Sequence, residues 1–416
     1  MTGKWLFLGV ALALVGCGGG GGGGKSPASA SLSGSVSKGP VAGAELYLYR
    51  MDAAGQATGA PVAGPIVTAA DGSWSVSIPA SEPRPLLVVA SGGTYTDEAT
   101  GATVTAGQMN SLLPDGANTV AVTPLSELLV RSARKHLAGN PGASVGQALD
   151  AGRDVLGQVL GVSFDPLATV PSSAAGASDE ALQYAAALGG LSGLANTNSP
   201  AADPFAAVMA LAEDASDGAL DGLSGGVPVD IDGTNTLAPL DADDLVAAIS
   251  DFVSAPAQGD TYAGVSAFTV TASAGAGGSI SPASISVLAG GSASFTVTPE
   301  DSHNLLAVTG CGGTLSGNRY TASDISSACS VSATFAIKEY PVTVESRTGG
   351  AITPASVSVP HGETATFSLS LEPGWQLDRL EGQGCEVGAV ASGEFSVGPV
   401  TSACTITPVF FRLDYT

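Results

Sequence analysis

A single Gly-x-Ser-x-Gly quintet, three histidines and five cysteines are the residues of this 416-residue chain that suit covalent or proton chemistry. An acyl-transfer site needs a nucleophile beside a base, and donors for the charge that develops. Gly222-Leu223-Ser224-Gly225-Gly226 fits the nucleophile pattern, but a nucleophile elbow requires a strand before it and a helix after it. Here the quintet lies within "DGALDGLSGGVPVDIDG", and His136 is the one histidine in the same part of the chain. His136 follows Arg134 and Lys135 near a predicted helix C-terminus, where the dipole favours cations anyway. His303 and His361 fall in predicted turns of two different segments and are not expected to meet. Asp243-Asp244 stands at a helix start and reads as a cap. "DIDGTN" offers Asp230, Asp232 and Asn235 to calcium but lacks the other ligands and the closing glutamate of a calcium loop. A loop cap is the reading preferred there. No catalytic, cofactor-binding or metal-binding residue is expected.

The remaining chemistry lies at the N-terminus. Lys4 precedes an apolar run, Trp5 to Val15, of 11 residues. A membrane-spanning helix needs about 20, whereas a signal-peptide core needs about this many. Leu14-Val15-Gly16-Cys17 then resembles the lipobox of bacterial lipoproteins. The resemblance implies cleavage before Cys17 and acylation of its thiol and of the new N-terminus, several chains together giving a stable anchor. The rival is an ordinary secretory peptide with a chance cysteine. Gly18 to Gly24 and on to Ala30 reads as a flexible tether with a reach of about 20 Å. In lipoproteins an acidic residue after the cysteine favours inner-membrane retention. Gly18 is not acidic, which implies the outer membrane.

Charge and cysteine usage narrow the partners. The net charge is −23, and 18 Asp and Glu but no Lys or Arg lie between Asp154 and Asn318. Phosphate binding requires clustered cations, so nucleic acid is not an expected partner. The acidity reads as a solvated exterior, with divalent-cation binding as the alternative. In an exported chain, Cys311 with Cys329 and Cys385 with Cys404 read as two disulfides, one per module. A zinc site is disfavoured, since no Cys-x-x-Cys occurs.

The elements that would position these residues fall into four pieces after the signal peptide (1–16) and the tether (17–30). Residues 31–122 alternate apolar and polar positions in short runs such as "AELYLYR", "SWSVSIP" and "PLLVVAS", the pattern of a small antiparallel β-sandwich. "GSVSKGPVAGAELYLYR" and "AADGSWSVSIP" resemble prealbumin-like, carboxypeptidase-regulatory-like modules of bacterial surface proteins. Some related pilin modules carry a Lys–Asn isopeptide bond. Lys38 is the one lysine of this module and falls at a turn rather than buried in mid-strand, so no such bond is expected.

Residues 123–262 change to helical period. Thr123-Pro124, Ser144 with Gln147, Ser178 with Asp179 and Glu180, and Asp203-Pro204 mark helix starts. "DADDLVAAISDFV" makes a fifth helix, and together these give a small all-α domain. "VAVTPLSELL" resembles the junction in lipoproteins that carry such a sandwich, which implies that sandwich and helices form one unit.

The rest is an internal repeat, 267–337 and 338–416. "GSISPASISVLAGGSASFTV" aligns with "GAITPASVSVPHGETATFSL" at an offset of 72, and "ACSVSATF" with "ACTITPVF" at 75. Both copies resemble the divergent internalin-type B repeat of bacterial surface proteins. The second has the Pro373-Gly374-Trp375 turn of that family. The first has Asp301-Ser302-His303, and a less ordered turn is expected there. Phe335 and Phe410 each precede a tyrosine, Tyr340 and Tyr415, by five residues, so the chain stops where a third copy would start. "FRLDYT" is therefore expected to have no strand of its own and at most to pair weakly with the second repeat.

The expected fold is thus multidomain: an antiparallel β-sandwich, a central small all-α domain and two small β-rich repeats. The expected function is that of a lipid-anchored envelope protein, acting by binding, adhesion or scaffolding and not by catalysis. Its expected partners are the membrane through Cys17 and a glycan or envelope protein. The alternative is a hydrolase or glycan-processing accessory with its site in the helical domain.

Overall fold

The computed structural model describes residues 28–162 and 164–413. It is β-rich and multidomain, with five helices between an N-terminal sandwich and C-terminal sheets. One sheet of the sandwich orders Ser73–Pro79, Ser29–Val36 and Thr119–Val122; the other orders Ala57–Val67, Glu45–Met51, Leu86–Ser91 and Met109–Leu113. Pairing is antiparallel except between Ser29–Val36 and Thr119–Val122, which run parallel. Alternate inward residues, among them Leu32, Leu46, Leu48, Val88 and Met109, fill the space between the sheets.

"PLLVVAS" differs from a half-buried strand. Leu86, Val88 and Ala90 face the sandwich core, while Leu87, also buried, belongs to the helical core on the other side. A continuous apolar run is what a strand covered on both faces requires. The helices cover it. Helix α1 (Pro124–Gly139) starts at Thr123, whose hydroxyl accepts from the Ser126 N–H while Ser126 Oγ accepts from the Thr123 N–H. Helix α2 (Val145–Leu160) carries the expected Ser144–Gln147 capping box and ends at Gly161 in the left-handed region. Helices α3 (Asp179–Asn198) and α4 (Pro204–Asp214) are capped by Ser178 and Asp203, and α5 (Ala242–Ser254) by Asp241.

Helix α3 is apolar nearly all round because it is central. A Cβ on Gly189 would lie 2.3 Å from the Phe252 ring, and one on Gly190 2.4 Å from Ile249, so two glycines admit α5 to close packing. The Tyr184 ring of α3 stacks on Phe164 at 4.3 Å, and its buried hydroxyl bonds Thr123 and Pro166.

Each C-terminal repeat is two small sheets, of which the one with more residues has the same strand order in both copies. The larger sheet of the first copy orders Ser284–Leu288, Ala267–Ala274, Cys329–Ile337 and His303–Thr309. That of the second orders Ser356–Pro360, Glu339–Val344, Cys404–Arg412 and Trp375–Gln383. Even the register shifts match, falling between Leu305 and Ala307 and between Leu377 and Arg379. The smaller sheet has four strands in the first copy and three in the second. Cys311–Cys329 and Cys385–Cys404 are bonded at Cα separations of 5.6 and 5.5 Å. Each bond fastens the first residue of an interior strand of the larger sheet.

Two expectations about the repeats are corrected. The Asp301-Ser302-His303 turn closes with the same hydrogen bond as its counterpart: His303 N–H to Glu300 O, and Trp375 N–H to Glu372 O. The first turn gains an added tie from Lys338 Nζ to the Asp301 carbonyl, 2.8 Å. The first two residues of "FRLDYT" also extend the strand Cys404–Arg412. Phe411 and Arg412 pair with Gln376 and Trp375, and the Leu413 N–H donates to Gly374 O. The strand continues because the pairing edge of Trp375–Gln383 is long enough to take it.

Candidate functional site

The residues with chemical potential are scattered, and each has a structural partner. His136 lies in the last turn of α1, whose carbonyl accepts from Asn140. His303 Nδ1 is 2.9 Å from Ser302 Oγ, while His361 packs on Tyr340 in the other repeat. Ser224 is on a two-residue strand, Leu223–Ser224, that turns back into Val227–Pro228. It is therefore in a hairpin, without the helix that an elbow needs. Ser224 Oγ donates to Glu213 Oε1 at 2.7 Å and accepts from Lys135 Nζ at 2.9 Å. Lys135 is itself ion-paired with Glu213 at 3.4 Å, and an ammonium has no lone pair with which to deprotonate serine. Burial disfavours charge on Glu213, but the bonds from Ser224 and Arg131 and the charge of Lys135 outweigh it. They hold this carboxyl below its ordinary value.

The "DIDGTN" loop closes on itself. Asp232 Oδ1 accepts from the N–H groups of Thr234 and Asn235, and Asn235 Nδ2 donates to the same carboxylate. The Asn235 side chain, then the backbone and Thr234, pull Asp232 down to about 2. Asp232 thus acts as the internal cap of the loop, as expected, accepting from Thr234 and Asn235. Among the described residues, no three His, Cys, Asp or Glu are grouped to hold a metal. Cys17 and the tether as far as residue 27 lie outside the described residues, whereas Ser29 and Ala30, expected at the tether's end, already belong to the strand Ser29–Val36.

Sequence reasoning missed the tightest charged cluster. Lys38 is fully buried, although it does lie in a turn, as expected. Its Nζ donates to Glu98 Oε2 at 2.9 Å, lies 3.6 Å from Asp97 Oδ2 and 5.5 Å from the Tyr95 ring centre, and touches Ser192 Oγ of α3. Ser192 Oγ donates in turn to Glu98 at 2.8 Å. Asp97 Oδ1 is held by the N–H groups of Ala99 and Thr100 and the Thr100 hydroxyl. Burial, then the charges of Asp97 and Glu98, push the Tyr95 phenol well above its ordinary value. A lone lysine in an apolar module was the available signal. Lys38, Asp97 and Ser192 are buried and Glu98 is partly exposed, so the cluster's chemistry is to neutralise a buried cation across the sandwich–helix boundary.

The open site is elsewhere, where the helical domain meets the first repeat. A cleft of about 820 Å³ there is lined by Arg153, Asp154, Glu180, Arg319, Thr321 and Asp324. Arg319 also lines an adjoining cleft of about 330 Å³ together with Asp241, Asp243 and Ser294. The larger cleft is mainly polar, while the smaller adds Pro282, Ile285 and Phe295 to its polar walls. Guanidinium donors, carboxylate acceptors and hydroxyls able to do both make a surface for a polar, hydroxyl-bearing ligand.

Comparison with known proteins bears on one segment. No curated protein and no solved structure matches the chain. Residues 268–339, the first repeat, match the family model of the divergent InlB B-repeat domain.

Proposed function

We propose that this is a lipid-anchored protein of the bacterial outer membrane that binds an envelope glycan or protein without catalysing a reaction. The observation that supports it most is the open polar cleft centred on Arg319, between the helical domain and a repeat of a surface-protein type. The disulfide-bonded repeats suit an oxidising compartment. The lipobox at Cys17, the prealbumin-like character of the sandwich and the B-repeat character of the second copy belong to the same reading. The matching strand order of the second copy's larger sheet supports that last point.

Two experiments test it. A glycan array probed with the soluble chain from Lys25 should give ligands whose affinity falls at least tenfold in Arg319→Ala. Absence of binding, or binding indifferent to Arg319, contradicts the cleft. Cys17→Ser should shift the full-length protein from the membrane to the soluble fraction, and unchanged partitioning contradicts the anchor. The hydrolase alternative would require turnover that Ser224→Ala abolishes, and the Ser224–Lys135–Glu213 arrangement disfavours it.

A further inference from the structure

The two repeats share a fold, yet one alone is docked on the helices, and the reason can be read residue by residue. Leu288 opposes Ala267 in the first copy and Pro360 opposes Glu339 in the second, so these are equivalent positions. The next turn is equivalent too. Gly290 N–H donates to Ile325 O and Gly362 N–H to Val400 O, while Gly291 N–H donates to Leu288 O and Glu363 N–H to Pro360 O.

At those positions the first copy meets the C-terminal end of α2. The Leu288 N–H donates to Gly161 O at 3.1 Å, and the Leu288 side chain is fully buried in the helical core. A Cβ on Gly291 would lie 2.2 Å from Gly161 O, a distance no side chain tolerates. The N-terminus of α5 adds Asp243 Oδ1, which accepts from the Ser286 N–H at 2.6 Å, and α3 adds Gln183 Nε2, which donates to Ala289 O. The second copy has Pro360 in place of Leu288, with neither the N–H nor the side chain, and Glu363 in place of Gly291.

We infer that the ends of α2 and α5 form a docking site for a B-repeat edge, and that this site selects the repeat by residue type. An N–H and an apolar side chain are required at position 288, and the absence of a Cβ at position 291. The first repeat is thereby fixed to the helical domain, while Pro360 and Glu363 bar the second from the same seat. The Arg319 cleft exists because of this docking, since its walls come from both partners.

The experiment gives the first repeat the second repeat's residues. Leu288→Pro with Gly291→Glu, in the soluble chain from Lys25, uses side chains that the same fold already carries at the same register. Hydrogen exchange should accelerate at least tenfold over residues 286–291 and at the C-terminal turn of α2, while strand Cys329–Ile337 keeps its protection. Pro360→Leu with Glu363→Gly should change neither region. Unchanged exchange at 286–291 and α2 overturns the inference. If Cys329–Ile337 loses protection instead, the decision passes to Asp243→Ala, which leaves the repeat's sequence intact. Exchange of the Ser286 amide should then rise severalfold, and no change overturns the inference. Glycan binding is not a readout here, so failure of this site and failure of the proposed function remain distinguishable.

Discussion

The helical domain has two joints, and they are built on different principles. Toward the sandwich the cores merge. Leu87, Leu112 and Ala121 of the sheets pack into the helical core, while Phe205 and Met209 of α4 pack into the sandwich core. Buried Glu127 of α1 accepts from both the backbone and side-chain N–H of Asn110, and Lys38 reaches Ser192. Toward the first repeat, Leu288 is the one repeat residue within the helical core, and the rest of the contact is hydrogen bonding between a sheet edge and helix ends. Apolar burial is non-directional and makes two modules one unit. Edge hydrogen bonding is directional, and so can discriminate between two repeats whose larger sheets share a strand order.

Removing charge from the first joint should do the most damage. Lys38→Ala leaves Asp97 and Glu98 facing each other with the cation gone, and breaking a buried pair this way costs about 3–5 kcal/mol. Guanidinium unfolding of the sandwich–helix unit measures it, and a loss below about 1 kcal/mol would show that the merged apolar cores suffice without the cluster.

The repeats offer the contrasting case of a module with a small core and a staple. Cys385→Ser with Cys404→Ser opens a loop closed over 19 residues and should lower the stability of the second repeat by about 3 kcal/mol. Unfolding followed at Trp375 should report this, with exchange in the sandwich unaffected. Equal stability with and without the bond would assign the fold to its apolar cluster around Phe367 and Phe395 alone.

A smaller, pH-dependent effect belongs to Asp214 at the end of α4. Burial raises its carboxyl from 3.8 to about 6, against the bond from the Gly222 N–H, and the charges of Asp221 and Asp217 add to the rise. The folded state therefore binds more protons than the unfolded state between about pH 4 and 6, so this group lowers stability as pH rises through that window. Asp214→Asn keeps the acceptor for Gly222 and should raise the melting temperature at pH 7 but not at pH 4. An equal shift at both values would remove the carboxylate as the cause.

What was legible in the sequence was local. Thr123, Ser144, Ser178 and Asp203 cap helices because a short polar side chain can reach N–H groups two or three residues away, a relation written in adjacent letters. The repeat and its paired cysteines were equally plain, since duplication leaves a fixed offset. The Lys38 cluster was not, because its partners are 59, 60 and 154 residues distant and nothing in "SKGPV" says that a turn will be covered by α3. The Arg319 cleft was hidden for the same reason, being formed by residues of two modules. Yet the docking of one repeat was present in the aligned segments as Leu288 against Pro360 and Gly291 against Glu363. It lacked meaning only until Gly161 stood opposite.

The most direct measurement of the two-joint account is hydrogen exchange of the soluble chain from Lys25 at increasing guanidinium. Strand Leu86–Ser91 of the sandwich and helix α3 should lose protection at one common midpoint, as parts of a single cooperative unit. The two repeats should each show a midpoint of their own. Separate midpoints for Leu86–Ser91 and α3 would contradict the merged core and, with it, the distinction between the joints.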